Sequence, residues 1–385
     1  MQGYSWGYLA AALLFNLING AAIVVFPLYM LKLSEDYLMA TLVTGLPLSA
    51  QALGNYFWGR VSDKLGTRKL PAVVGCTTGS LLFLLLPFLS PLQFIGMRTA
   101  QNMLLSSQVL LQNLASDTKA KKGSSLGTLN LYSNIGVVAG ALGFVFLLPA
   151  ETLSRDFIAF FSTGLALTGI AATFFLYLSE DVPFNAMVGK RRNTTVYLLF
   201  LLIAIVMWGN YTVFSIFPVY IADFSVPVGS ITLTGIKLTG IFIASSSLTG
   251  IPASYIAGKF TDKYRKERLV CATLLIYALI WFILAFTTSL PIIYFIWVLP
   301  VWLFLVLPVT AASSESVGIE ERGWAIGMIN AGIGLGALLG SYTGGCLSNL
   351  YGFPAAFLAG SCIVLSGLLP LALWRSSSRK MYCWT

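Results

Sequence analysis

The sequence predicts an all-α membrane protein of twelve transmembrane helices, built as two pseudosymmetric six-helix bundles, and three observations predict it. Of the 385 residues, 57% are hydrophobic and 10% charged, a balance too apolar for a water-soluble globule. The apolar residues are gathered into long runs separated by short charged loops. A hydrocarbon core of ~30 Å takes about 20 helical residues per crossing, and helices are the structures that satisfy their own backbone over such runs. Finally, the charged stretch Gly59 to Lys69 has a partial copy at Gly258 to Arg268, about half the chain further on.

In order, the expected spans are 5–31, 38–58, 70–89, 91–115, 125–149 and 156–178, then 195–222, 232–257, 269–288, 291–314, 324–349 and 353–374. This sets a first bundle over 1–178, a linker over 179–194, a second bundle over 195–374 and a tail over 375–385. The first apolar run lacks a basic leader and is too long for a signal-peptide core, so it is expected to stay as a span.

The formal charge is +9. A nucleic-acid binder would gather that charge on one solvated face, whereas here it lies in clusters between apolar runs, so no nucleic-acid partner is expected. The loops after the second, fourth, sixth, eighth and tenth spans, with the C-terminal tail, hold nineteen of the 23 Lys and Arg residues. The opposite loops hold only Lys32 and Arg155, and Arg98 and Lys237 fall inside apolar runs. Positive residues resist translocation, which implies an integral protein of the cell membrane with both termini cytoplasmic. The pattern Asn193-Thr194-Thr195 then lies on the wrong side for glycosylation.

The duplication extends into the spans. Asn19, Phe26-Pro27 and Tyr29 of the first span return at the same spacing as Asn210, Phe217-Pro218 and Tyr220 of the seventh. Gly123, Gly127, Asn130 and Gly140 around the fifth return as Gly323, Gly327, Asn330 and Gly340 around the eleventh, an offset of 200. Repeats of this kind place a transport site at their interface near mid-membrane.

The loop Gly59-x-x-x-Asp63-Lys64-x-Gly66-x-Arg68-Lys69, with its weaker copy Gly258, Asp262 and Lys263, resembles the most specific signature of the major facilitator superfamily of secondary transporters. The resemblance covers the whole chain. Arg98-Thr99-Ala100-Gln101-Asn102 is similar to that family's Arg-x-x-Gln-Gly pattern, with Asn102 in place of glycine. Gly136 to Gly143 lacks the Gly-Pro pairing of many drug antiporters of the family. The resemblance implies that the Gly59 loop and its copy form a latch closing the cytoplasmic ends of the halves. It also implies that the first, fourth, seventh and tenth spans surround the cavity, and that the fifth and eleventh flank the domain interface. Physically, Gly59 would permit a tight helix exit, and Asp63 could accept hydrogen bonds from orphan amides at a helix start or pair with a basic neighbour.

Gly332, Gly336, Gly340 and Gly344 lie four apart on one face of the eleventh span, and Gly136 and Gly140 are their counterparts on the fifth. Close helix packing explains them; a nucleotide fingerprint around Gly334 lacks the preceding strand it would need. An intramembrane cation is usually turned toward a cavity or a partner. Arg98 is expected in the cavity with Gln101, while Lys237 either snorkels to the interface or faces the cavity. Asn16, Asn19, Asn210 and Tyr211 supply further polar groups. Tyr294, Trp297 and Trp302 of the tenth span form either an aromatic wall or interfacial anchors, and Pro300 and Pro308 are expected to kink that span. The 14 acidic residues all fall in loops or at helix ends, with Asp223 and Glu315 nearest to a span. That argues against a conventional proton antiporter.

Five scattered cysteines, no histidine and no nucleophile or phosphate-binding motif point to no metal, no cofactor and no enzymatic activity. The expected function is secondary transport of a small organic solute by alternating access, with an anionic solute favoured by the cation without a counter-ion. Two alternatives stand beside it: proton-coupled efflux of lipophilic compounds, and a non-transporting receptor or assembly protein on the same fold. Expected partners are the small-molecule substrate and membrane lipids, with the chain acting as a monomer.

Overall fold

A computed structural model describes residues 6–111, 122–147, 153–179, 193–228, 231–318 and 321–382. Among the described residues each of the twelve expected spans falls mainly on helix, and nine helical runs are long and apolar enough to cross a membrane. The chain divides into two compact units, Met1–Ala186 with Pro218–Leu248, and Met187–Phe217 with Thr249–Thr385. The segment Pro218–Leu248, read above with the second half, thus groups with the first unit. Most of the expected linker lies outside the described residues.

The first unit carries α1 (Trp6–Ser34), α2 (Tyr37–Leu65), α3 (Lys69–Leu81), α4 (Pro91–Leu105), α5 (Lys122–Leu147) and α6 (Arg155–Tyr177). Local chemistry sets their ends. The Asp36 carboxylate accepts from the Leu38 amide at 2.8 Å to start α2, and the Ser154 hydroxyl accepts from the Phe157 amide at 3.1 Å to start α6. The third span tightens into a 3-10 turn over Leu82–Phe88, which Pro87 and the Ser90 cap of α4 bring to a stop.

Helix α2 runs straight through Gly59 and ends at Gly66, whose φ of 64° and ψ of 19° are left-handed. The reading of Gly59 as the helix exit is therefore corrected: Gly66 is the exit, because a Cβ there would press on the following carbonyl. Gly258 likewise lies inside its helix, which continues to Lys263. Gly66→Ala is expected to lower stability by roughly 1–2 kcal/mol, read as a fall in the melting temperature of the purified protein, whereas Gly59→Ala, with nothing within 4 Å of its Cβ position, should be neutral.

α1 is the axis of this unit, with Ala11, Ile18, Ala21, Val24 and Val25 all buried. It meets α5 at backbone contact: a Cβ on Gly136 would strike the Leu13 carbonyl, one on Gly140 the Leu17 carbonyl, and one on Gly20 the Val137 carbonyl. Lipid tails give no hydrophobic drive for helix association, so dispersion gained at this close approach holds the pair. Polar ties supplement it. The Trp58 indole donates to the Met103 carbonyl at 2.9 Å, joining α2 to α4, and the Ser107 hydroxyl, 3.2 Å from the Cys76 sulfur, fastens the end of α4 to α3.

The segment that follows holds α8 (Phe217–Ala222) and an unexpected hairpin of β1 (Ser225–Val228) and β2 (Ile231–Thr234), antiparallel in register Ser225 to Thr234 and Val228 to Ile231. The eighth span was expected to be helical from residue 232; its helix α9 (Gly235–Lys263) starts only after β2, at Gly235 with φ of 50°.

The second unit is built from α7 (Thr194–Phe214), the later part of α9, α10 (Lys266–Phe286), α11 (Leu290–Val298), α12 (Leu303–Glu315), α13 (Arg322–Tyr351), α14 (Phe353–Ser366) and α15 (Leu368–Tyr382). Asn193, the residue of the glycosylation pattern, caps α7 by accepting from the Thr195 amide at 2.9 Å. Around Pro300 the tenth span breaks into α11 and α12, and α12 continues through Pro308. α13 lies on α7 as α5 lies on α1. A Cβ on Gly336 would come within 2.6 Å of the Ala204 carbonyl and one on Gly340 within 2.5 Å of the Trp208 carbonyl. Leu13 to Ala204 and Leu17 to Trp208 keep the shift that separates Asn19 from Asn210, while Gly136 to Gly336 and Gly140 to Gly340 keep the shift of 200. The duplication is thus expressed in these two pairs of contacts, in keeping with two pseudosymmetric six-helix bundles.

Candidate functional site

Arg98 lies two turns into α4 and is only 6% exposed. Its guanidinium carbon stands 4.7 Å from the Phe26 ring centre and 5.5 Å from that of Phe83, one Nη donates to the Gln101 side-chain oxygen, and the buried Nε has no hydrogen-bond partner. Gln101 in turn donates to the Gly79 carbonyl at 3.0 Å. Around them the rings of Phe26, Phe94 and Phe161 meet edge to face, with centres 5.3 and 5.6 Å apart, and Tyr29 lies 5.8 Å from Phe94. Ring faces carry partial negative charge, so two of them replace a carboxylate in sheltering the cation. Arg98 and Gln101 were expected on a cavity wall. In this state they lie inside the first bundle, because aromatic residues of α1 and of the 3-10 turn close over them.

The remaining expected cavity residues divide between the units. Asn16 and Asn19 are half-buried on α1, with Asn16 donating back to the Ala12 carbonyl at 2.8 Å. In the second unit Asn210 and Tyr211 are half-buried on α7, and the Tyr211 ring meets Phe214 edge to face at 5.4 Å. Trp297, expected either in an aromatic wall or as an interfacial anchor, is the middle of a stack: Phe217 lies parallel to it at 3.4 Å, Phe214 at 5.6 Å, and its buried indole N–H has no hydrogen-bond partner among the described residues. Tyr294, one turn earlier on α11, is exposed. Lys237 is half-buried in the first turn of α9.

The glycines expected to serve close helix packing face their own bundles: Gly136 and Gly140 meet α1, while Gly332, Gly336 and Gly340 meet α7. Helix α1 or α7 occupies the stripe, so its smoothness serves close packing inside each unit.

The charged loops differ in detail. In the first, Arg68 donates to the Ser62 hydroxyl at 3.0 Å, which itself donates to the Thr67 carbonyl at 3.0 Å, tying the loop across the end of α2; Lys64 is exposed, and the Asp63 side chain lies outside the described residues. In the second, Asp262 and Lys263 are exposed, and Lys266 pairs with Glu315 at 2.8 Å, joining α10 to the end of α12.

Glu315 thus closes α12 in an ion pair, and Asp223 stands in the turn after α8. Every carboxylate among the described residues sits in a loop or a terminal helical turn. Partial burial holds the Asp223 carboxyl above its ordinary range. Its folded pKa exceeds its unfolded one, so stability falls as pH rises through that window. Asp223→Asn should therefore raise the melting temperature slightly at pH 7.5, and by less at pH 4.5.

Similarity to known proteins agrees with this architecture. Residues 8–306 and 199–381 match the family model of the Major Facilitator Superfamily. The chain is 22% identical over 369 residues to the uncharacterized MFS-type transporter YuxJ of Bacillus subtilis, covering 88% of this chain and 89% of that protein. It is 30% identical over 145 residues to a staphyloferrin B transporter of Staphylococcus aureus, covering 37% of this chain and 34% of that protein. Among solved structures, a mutant of the nucleoside transporter NupG superposes with a TM-score of 0.79 at 12% identity, over 97% of this chain and 99% of that one. Two bundles related by repeated glycine contacts and a family match running nearly end to end have one reading: the chain belongs to the major facilitator superfamily of membrane transporters.

Proposed function

We propose that this transporter moves a small organic solute bearing an anionic group, by alternating access of its two bundles. One observation carries the reading: Arg98 is a buried guanidinium with no carboxylate beside it among the described residues and with an unpartnered Nε. A cation taken out of water is costly, and a fold that keeps one without a counter-ion keeps room for an anion from outside. The sheath of Phe26 and Phe83 would have to part for solute to reach it, which makes those rings the moving element of the site. Asn19 and Asn210, equivalent under the repeat and both half-buried, are the amides proposed to orient the solute, and the Gly59 loop with its copy is proposed to latch one access state. The charge asymmetry of the loops supports a cell-membrane location with both termini cytoplasmic.

The test is flux into proteoliposomes of neutral lipid, with small carboxylates, organic phosphates and lipophilic amines offered in parallel. Anions should be taken up saturably, and Arg98→Gln should cut that uptake at least tenfold. Uptake of amines alone, or anion uptake indifferent to Arg98, defeats the reading.

A further inference from the structure

On the face opposite the basic loops, the first unit holds a cavity of about 410 Å³. It is an open cleft bordered by the last turns of α1, by the 3-10 turn with the Ser90 cap, and by the approach to α6. Two cations line it, Lys32 and Arg155, both exposed at its rim. They stand at the end of α1 and the start of α6, 123 positions apart in the sequence, yet they meet at one opening. Arg155 is held in place: its Nε donates to the Pro87 carbonyl at 2.8 Å, and its guanidinium carbon stands 5.8 Å from the Phe88 ring. Tyr29 lines the inner wall, and Leu33, Phe88 and Leu153 supply apolar surface. None of the described lining residues is acidic. The positive end of α6 adds to the field, and the exposed Asp156 of its first turn opposes it.

We propose that this cavity is a second binding site, distinct from the Arg98 site, for an amphiphilic organic anion. A phosphate or carboxylate head lies between Lys32 and Arg155, and an apolar portion lies against Leu33, Phe88 and Leu153. The volume is in the range of small-ligand pockets, and an apolar lining with a few convergent polar groups is their usual make-up. A phosphate head has two sources, a soluble organic anion or the headgroup of an anionic lipid at the membrane surface. The site also abuts the aromatic layer around Arg98, since the Tyr29 ring that lines it touches Phe94, which touches Phe26. The proposal concerns binding alone and stands whether or not transport depends on Arg98.

The experiment uses the full chain in nanodiscs of zwitterionic lipid, titrated with phenyl phosphate, phenol and inorganic phosphate and read by thermal shift. A second arm reads retention of phosphatidylglycerol over phosphatidylcholine by native mass spectrometry. For a soluble ligand, phenyl phosphate should stabilise the protein more than either fragment, and Lys32→Gln and Arg155→Gln should each weaken that binding at least tenfold, with Lys32→Arg close to the parent. For a lipid ligand, phenyl phosphate has little effect while the same two variants lose most retained phosphatidylglycerol. Lys32 is exposed at a helix end, so its variant tests the site without endangering the fold. Binding and lipid retention both unchanged in Lys32→Gln would overturn the proposal, as would stabilisation by phenol equal to that by phenyl phosphate together with phosphatidylglycerol retention that the two variants leave unchanged.

Discussion

Gly140→Leu is expected to prevent assembly of the first bundle. The Cβ alone would meet the Leu17 backbone carbonyl, with the Leu17 carbon at 2.8 Å and the Ala21 amide at 2.9 Å. A side chain facing another side chain can find a new rotamer, but one facing a helix backbone can only push the helices apart. Overpacking in a tight core costs about 1–3 kcal/mol and more where nothing can yield, and here it would also cost the neighbouring close contacts at Gly136 and Gly20. Set against a typical net stability of about 5–15 kcal/mol, that is enough to remove the monodisperse species on size-exclusion chromatography. Gly340→Leu should do the same to the second bundle through the Trp208 carbonyl. Gly143 is the control, since no atom lies within 4 Å of its Cβ position and Gly143→Leu should keep a normal elution profile and melting temperature. If Gly140→Leu elutes like Gly143→Leu, close approach of α1 and α5 is not what holds the bundle.

That glycine pairing also marks what the sequence discloses and what it withholds. The twelve spans were legible because bilayer thickness imposes a length on apolar runs, and the duplication was legible because shared offsets survive divergence. The stripe Gly332, Gly336, Gly340, Gly344 announced close packing, but a stripe does not name the helix that fills it, and α7 rather than another half filled it. Arg98 and Gln101, three apart on one helix, were readable as neighbours. Phe83 was not, since a partner from another helix leaves no periodic trace. The hairpin had a readable signal that span counting overrode: Val226 and Val228 alternate on one side of Gly229-Ser230, Ile231 and Leu233 on the other, a two-residue link of the hairpin type. The pairing of Lys32 with Arg155 had none, because convergence of two distant loops is a property of the fold.

Arg98→Met offers the clearest separation of function from stability. The substitution removes the guanidinium hydrogen bond to Gln101, worth about 1.5–3 kcal/mol for a charged donor, and the ring-face attraction of Phe26 and Phe83, worth roughly 0.5–2 kcal/mol. It also removes the penalty of holding an uncompensated cation out of water, several kcal/mol even after relaxation. The opposing terms are of similar size, and Met matches the apolar surroundings in shape while Gln101 keeps its bond to the Gly79 carbonyl. The melting temperature should therefore stay within a few degrees of the parent, or rise. Transport of the anionic solute should fall at least tenfold, because no group remains to receive its charge. A structural arginine would give the opposite pattern, a collapsed melting temperature in Arg98→Met with flux per folded molecule preserved in Arg98→Lys. Measuring melting temperature and flux on the same two preparations decides between them, since a residue retained for binding costs the fold little when lost and a residue retained for packing costs it much.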